Sequence, residues 1–355
     1  MKRQLPTLSD VARHAGVSYA TADRVINDRG GVAEKSVRRV REAIAELGYV
    51  RNVAAANLSQ KRTYRFVFVI PEGPNSFFQY LRQVLSEVHD ALLIERVDVV
   101  VKNVRAFDAG ALAQCLVELS GETLDGVALV GMDDPKLRDA IDRLKEQGVA
   151  VLTLVADVPE AGRDLYVGID NVVAGRTAGR LLILAHGGRG GRVLPVVGSR
   201  AALDHAERLQ GMSETLAETG GGVSMAPVIE GRDLHDHVER LVRQALLDDP
   251  EITAIYSAGA GNAGLVRVLE DLPPDVSRPV VVLHELVPHS RRALQDGLID
   301  LVIDQRPDDE IKLALECLRR MADRMDQTQP VPIVPAIYVR ENLPDTIADD
   351  QNGAP

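Results

Sequence analysis

The stretch T7-L-S-D-V-A-R-H-A-G-V-S-Y-A-T-A-D-R-V-I-N27 decides how the rest of the chain is read. Thr7 is placed to cap a helix, with Asp10 three residues on as its capping-box partner. Leu8, Val11, Ala12 and Ala15 recur at helical spacing, and Gly16 stops the run. Ser18 caps a second helix whose buried stripe is Ala22, Val25 and Ile26. Two short helices joined by a tight Gly turn form a helix-turn-helix, which lays its second helix in the major groove of DNA. Taken alone, the pair is equally consistent with a helical hairpin inside a larger core.

The residues that follow separate these readings. A third helix is expected from Glu34 to Leu47, burying Val37, Val40, Ile44 and Leu47 and ending at Gly48. N52-V-A-A-A-N-L-S-Q-K-R62 then reads as a short Ala-rich helix, too thinly apolar to stand alone, running into a basic linker. The motif T-L-x-D-V-A-x-x-A-G-V-S, then T-x-x-R-V-x-N, L-G-Y and a hinge ending in N-L, resembles the LacI/GalR family of bacterial repressors. The resemblance covers Thr7 to Arg62 without a gap.

Charge agrees with it. Residues 1–62 hold 12 Lys and Arg against 6 Asp and Glu, a net +6, whereas the remainder carries 29 against 46, a net −17. A basic head attracts phosphate and the acidic body repels it, so non-specific DNA binding falls to the head.

With 355 residues the chain has room for a small head and a body of two lobes. No apolar run approaches the ~20 residues needed to span a bilayer, and Met1–Pro6 does not read as a signal peptide. No membrane partner and a cytoplasmic location are therefore expected. Cys115 and Cys317 sit far apart in helical patterns, as buried thiols rather than a disulfide. With no Trp and few aromatics, an aromatic sugar platform of the lectin kind is excluded.

After Arg65 the pattern alternates. Apolar strands are expected at Phe66–Ile70, Val97–Val101, Gly126–Val130, Ala150–Val155, Arg192–Val197, Ile252–Tyr256, Val280–Leu283 and Leu301–Ile303, with helices such as Phe77–Ile94, Pro135–Gln147, Val172–His186, Leu203–Thr219 and Leu234–Asp248 between them. Continuous apolar strands alternating with helices imply parallel sheets covered on both faces. The count exceeds one sheet, so two doubly wound lobes facing across a cleft are expected. Ligands then bind beyond the carboxyl ends of the strands.

G259-A-G-N-A-G264 matches G-x-G-x-x-G, follows a strand and opens a helix, with Glu285 about twenty residues on. That is the case for an NAD-dependent oxidoreductase. Against it, the motif falls late in the body and no hydride-transfer constellation accompanies it. The same turn lets a small polar ligand approach backbone amides. G187-G-R-G-G-R192 lacks the Lys-Ser/Thr ending of a P-loop and reads as a helix C-cap. His235 and His237 flank Asp236 without further metal spacing, so no metal site is expected. No catalytic signature is found. The reading is a non-enzyme with no cofactor.

The body, from about Phe66 to Leu343, resembles the sugar-binding fold shared by this family and periplasmic sugar-binding proteins. The fold class implied is an all-α helix-turn-helix DNA-binding head with a hinge helix, followed by an α/β two-lobed body like the type I periplasmic binding proteins. The domains implied are a head over 1–51, hinge helix and linker over 52–62, an effector-binding and dimerisation body over 63–345, and a disordered tail over 346–355. Within the body one lobe takes about 63–168 and 306–332, the other about 169–305 and 333–345.

The resemblance also implies site residues. Pro74-Asn75-Ser76-Phe77-Phe78 is similar to a sugar-contacting loop, Arg208 falls where an Arg binds hydroxyls, and Glu285 and Gln305 fall where a cleft carboxylate and glutamine stand. Asp170 or Asn171 caps the helix after the crossing into the second lobe. Two positions depart from the pattern: either Asp157 substitutes for an Asp usual earlier or that contact is absent, and small residues at Ala258–Ala260 leave Asn262 as the candidate amide. Carboxylate, Arg and amide groups suit a neutral sugar or polyol, with an aromatic face covering the ring. Pentose, hexose and inositol all fit. Alternatives stay open: Phe77 or Phe78 as core, Arg208 as a surface helix charge, Glu285 paired with an Arg.

In the head, Tyr19, Ala20 and Arg24 are expected to read base edges, Arg24 by a bidentate fork to guanine. Thr7, Ser18, Thr21 and Asn27 are assigned to phosphates. Asn57 and Leu58 are, by resemblance, the minor-groove pair, Leu58 as the wedge. Asp23 stands where the family usually has Ser. A homodimer, or a higher oligomer, on a near-palindromic operator follows. The function implied is a transcriptional regulator, a repressor of carbohydrate or polyol genes, controlled by a small sugar-like effector. A plain solute-binding protein is the other rival.

Overall fold

The computed structural model describes residues 6–26, 30–49, 62–219, 222–325 and 328–345, and the chain divides into two units, Met1–Arg62 and Thr63–Pro355. Asn27, the hinge Asn52–Gln60 with Asn57 and Leu58, and the tail Thr346–Pro355 lie outside the described residues.

The first unit contains α1 (Leu8–Ala15), α2 (Tyr19–Ile26) and α3 (Glu34–Leu47). Thr7 closes the capping box: its hydroxyl oxygen accepts from the Asp10 amide, and Asp10 accepts from the Thr7 amide at 2.9 Å. Gly16 takes the left-handed conformation (φ 59°) that ends α1, where a side chain would be strained and would meet Arg39. Ser18 caps α2, accepting from the Thr21 amide at 3.1 Å. Val11, Ala12, Ala15, Ala22, Val25, Val40 and Ala43 form the shared core.

In the second unit, β1 (Tyr64–Glu72), β2 (Val97–Arg105), β3 (Gly126–Leu129), β4 (Ala150–Leu154) and β5 (Leu165–Val167) make a parallel sheet in the order β2-β1-β3-β4-β5. Helices α4 (Ser76–Ile94), α5 (Ala109–Leu119) and α6 (Pro135–Glu146) connect its strands. The second sheet runs β12-β11-β10-β9-β6-β7, with β8 also on β6. Its strands are β6 (Gly191–Val197), β7 (Val223–Met225), β8 (Ile229–Glu230), β9 (Ala254–Ser257), β10 (Val280–His284), β11 (Leu301–Asp304) and the antiparallel β12 (Ala336–Tyr338). Around it lie α7 (Asn171–His186), α8 (Leu203–Thr219), α9 (His235–Asp248), α10 (Asn262–Glu270) and α11 (Pro288–Gln295). The short β5, β7, β8 and β12 carry too few apolar residues to be read from the sequence.

Both sheets reverse their winding at a switch point, between β1 and β3 in one and between β6 and β9 in the other, where loops splay apart and leave a crevice. α12 (Pro307–Ala322) follows β11 but returns to the first lobe. Its Ile311, Ala314, Leu315, Leu318 and Met321 join the core of Phe66, Phe68 and Leu152. The chain thus passes between lobes after β5, after β11 and before β12. The first and third passages pair: the Ile333 amide donates to Gly168 O at 2.9 Å.

α7 and α8 approach each other closely. A Cβ on Gly175 would stand 2.0 Å from Arg208 O, and one on Gly211 would stand 2.0 Å from Val172 O. On an exposed helix Gly→Ala gains about 1 kcal/mol from propensity. Here Gly175→Ala and Gly211→Ala should each instead destabilise the body by about 1–3 kcal/mol, because the clash is with backbone. Urea unfolding of the two variants checks this, and a gain in stability from either would refute the close contact.

Candidate functional site

Arg208, on α8, is 2 % exposed and held from two sides: Nε donates to Asn171 Oδ1 and Nη1 to Ala258 O, both at 2.9 Å. Asp170 is the residue that caps α7, accepting from the Val173 amide at 2.9 Å, so Asn171 is left to fix the guanidinium. Arg208 Nη2 has no partner and lies in the wall of a cleft between the two sheets. The cleft is lined by residues from both lobes, Phe77, Phe78 and Phe107 from the first and Arg208, Asp233 and Glu285 from the second.

Asn75, Phe77, Phe78, Arg208, Glu285 and Gln305 all line this cleft. Asn75 caps α4 through Oδ1, accepting from the Phe77 amide at 3.0 Å, while Nδ2 donates across the cleft to Asp233 Oδ2 at 2.8 Å. Phe77 is buried in the first-lobe core as well as facing the cleft. Phe78 is half-buried against it, with ring centroids 5.6 Å apart. Gln305 Nε2 donates to Glu285 Oε1 at 2.5 Å. Gln305 Oε1 and Glu285 Oε2 remain unpaired. Glu285 therefore pairs with an amide and not with an Arg.

Two expected residues fall outside the cleft. Asp157 turns to Arg163, accepting at 2.6 and 2.8 Å, and also accepts from Thr153 Oγ1 and the Val158 amide. Burial works to raise its pKa, but the Arg163 and Thr153 hydrogen bonds outweigh it and leave it lowered. A carboxylate so fully satisfied has no reason to seek a ligand. Asn262 opens α10 and is consumed by its turn: Oδ1 accepts from Ser257 Oγ at 2.6 Å, and Nδ2 faces Gly259 O and His284 O at 3.4 Å.

Several lining residues were missed. Asp204 and His205 precede Arg208 by one helical turn, a spacing that signals a shared face. Phe107 follows β2, and its ring lies 6.3 Å from that of His205 across the cleft. Asp233 follows β8 and accepts from the Ala260 amide at 2.9 Å, and nothing in its local sequence marks it. Among the described residues eight non-glycines have positive φ, and four of them, Phe107, Val155, Asp233 and Glu285, line the cleft. Such strain gathers where loops are shaped for function.

The glycines of the G-x-G-x-x-G motif serve packing. A Cβ on Gly264 would stand 1.9 Å from His235 O, and one on Gly259 would stand 2.5 Å from Gly198 N. Gly259 and Ala260 do line the cleft, so the turn borders a ligand site. Gly187 ends α7 in the left-handed conformation, as a C-cap.

The cleft floor is electrostatically unusual. Burial first, and neighbouring Asp304 second, push the Glu285 carboxyl up to about 8. Glu310, fully buried at the start of α12 with both carboxyl oxygens unpaired, is raised well above its usual value, again chiefly by burial. Behind them His284 is held well below its usual value by burial. Its ring lies 2.8 Å from the Tyr256 hydroxyl. Of these groups Glu285 lines the cleft, together with Arg208.

In the head, Tyr19, Ala20 and Arg24 are exposed on α2, while Ala22 and Val25 face the core. Thr7 and Ser18 are exposed and Thr21 half-buried; the Ser18 and Thr21 hydroxyls lie 2.8 Å apart.

A basic helix-turn-helix unit joined to a two-lobed body with a cleft defines the class of a bacterial DNA-binding regulator. The profile described as bacterial regulatory proteins, lacI family, matches residues 7–52, and that of a periplasmic binding protein domain matches 66–325. The chain belongs to the LacI family. It is 33 % identical to the HTH-type transcriptional regulator CelR of Thermobifida fusca over 72 % of this chain and 74 % of that one. It is 28 % identical to the HTH-type transcriptional regulator DegA of Bacillus subtilis over 59 % of this chain, spanning 60 % of that protein. In fold, the body is similar to a solute-binding protein from Burkholderia graminis in complex with D-arabinose (TM-score 0.72, 22 % identity, 79 % of this chain and 96 % of that one). It is also similar to GanP, a glucose-galactose binding protein from Geobacillus stearothermophilus (TM-score 0.70, 22 % identity, 80 % and 99 %). Among the described residues no helix is long and apolar enough to cross a membrane.

The Glu285 value carries a pH signature. A carboxyl whose folded pKa exceeds its unfolded one makes stability fall as pH rises from about 4.5 to about 8, and no further above that. Glu285→Gln should therefore flatten the decline in Tm across this window, by about 2–4 °C per kcal/mol recovered. Glu310 leaves a residual slope of the same sign. Thermal melts from pH 5 to 8.5 showing the wild-type slope unchanged in the variant would exclude this role.

Proposed function

We propose that the protein is a cytoplasmic, DNA-binding transcriptional repressor of carbohydrate or polyol genes, governed by a small effector bound in the cleft. The observation that carries this is one chain joining an exposed Tyr19–Ala20–Arg24 face on a helix-turn-helix to a body whose cleft holds buried, unpaired polar atoms. The similarity to regulators named CelR and DegA supports it.

Arg24 reads guanine, Tyr19 reads a base edge beside it, Ala20 adds an apolar contact, and Thr7, Ser18, Thr21 and Asn27 hold phosphates. Asn57 and Leu58 enter the minor groove at the operator centre. A homodimer matches a near-palindromic operator.

Control follows from linkage. An effector changes DNA affinity only as far as it binds the two body conformations differently. The Asn75–Asp233 hydrogen bond and the Phe107–His205 contact span the cleft, so a ligand that alters closure acts on these first.

The test is operator binding. The full chain should shift DNA from its own promoter region, and Arg24→Ala should lose about 1–3 kcal/mol of sequence discrimination while keeping most salt-dependent non-specific binding. Gel-shift titrations in which the variant discriminates as well as wild type would reject the Arg24 role. Absence of DNA binding by the wild type would reject the regulator.

A further inference from the structure

The two walls of the cleft differ in chemistry. On the second-lobe side three buried polar atoms have no partner: Arg208 Nη2, Glu285 Oε2 and Gln305 Oε1. Asp204 and Asp233 stand beside them. The first-lobe side is apolar, formed by Phe78, Val104, Leu112, Val130, Met132 and Ala156 with Phe107 above.

The polar side chains of that first wall each have a protein partner. Asn75 uses Oδ1 on the Phe77 amide and Nδ2 on Asp233. Asp108 caps α5, accepting from the Ala111 amide at 2.9 Å, and faces Arg105 at 3.5 Å. Arg105 itself is 79 % exposed at the rim. Asp157, which would have brought a carboxylate to this side, is turned away to Arg163.

A freely hydroxylated sugar held between these walls can satisfy one edge only. Hydroxyls facing the carbon-lined surface of the first lobe lose their water without a partner there, at roughly tenfold in affinity for each. We infer that the ligand of this cleft is a two-sided molecule: a sugar or polyol bearing an apolar substituent, as in an aryl or alkyl glycoside or a deoxy sugar. Its hydroxylated edge meets Arg208, Glu285 and Gln305, because a hydroxyl both donates and accepts. Its apolar part packs on Phe78, Phe107 and Met132, where burial of carbon is favourable. This rests on the reading of the cleft as an effector site and narrows the class of effector.

Calorimetric titration of the full chain tests it. The probes are D-glucose, D-galactose, D-xylose, L-arabinose and myo-inositol, set against the phenyl β-glycosides of the four sugars and against 6-deoxy-D-glucose and D-fucose (6-deoxy-D-galactose). At least one probe with an apolar substituent should bind about tenfold or more tightly than its fully hydroxylated counterpart. Met132→Gln, which puts an amide of similar size on the apolar wall, should shrink that ratio, and Glu285→Ala should abolish binding. A free sugar binding as tightly as its phenyl glycoside or deoxy counterpart overturns the inference, and so does silence from every probe. Gel shifts on the same preparation separate the two failures. If DNA is still bound, the ligand class falls and the regulator stands.

Discussion

The close passage of α7 over α8 is the constraint on which the site depends. Gly175 and Gly211 let two helix backbones meet at a distance no side chain tolerates. That approach places Asn171, the first residue of α7, against the guanidinium of Arg208 on α8. Ala258 O, beyond the end of β9, supplies the second hold. A buried Arg would otherwise be costly, since desolvation opposes it unless its donors are paired. Two of its nitrogens are paired by the scaffold and one is left for whatever enters the cleft. A packing feature of two helices thus becomes the orientation of the fixed cation on the cleft floor.

Around that cation the acids behave as their burial dictates. Burial raises Glu285 to about 8 and pushes Glu310 up as well, whereas Asp157, with an Arg and a Thr to itself, is lowered. The difference is one of environment, since all three are ordinary carboxyls in the sequence. Backbone strain follows the same geography. Val155 and Glu285 adopt left-handed conformations at the carboxyl ends of strands, where neighbouring strands hold them in place. Both residues line the cleft, and the scaffold absorbs the cost of shaping its loops.

Charge divides the molecule by task. The head is positive and small, its helices held by caps and a core of mostly small residues, so its exposed face can carry Tyr19, Ala20 and Arg24 without loss of packing. The body is strongly negative and adds nothing to phosphate attraction. In the proposed regulator, coupling between the two depends on which body conformation the cleft's occupant prefers, and the contacts from Asn75 and Phe107 span that cleft.

Much was legible from residues alone because the forces concerned are local. The Thr7–Asp10 box, the stop at Gly16, the apolar runs of β1, β3 and β4 and the cap at Gly187 depend on neighbours within a few positions. So the helix-turn-helix and the alternating body could be read directly. The chain also placed Asn75, Phe77, Phe78, Arg208, Glu285 and Gln305 as cleft candidates, each near the end of a recognisable element or carried by resemblance. What it could not disclose is who meets whom across the sheet or the cleft. Asp157 and Asn262 looked like ligand residues until Arg163 and Ser257 proved to be their partners. Asp233, His205 and Phe107 looked like nothing until two lobes brought them together. The chain determined the elements and the kinds of chemistry available. The tertiary structure decided which groups were left unpaired, because satisfaction of a buried polar atom is settled by contacts between residues far apart in sequence.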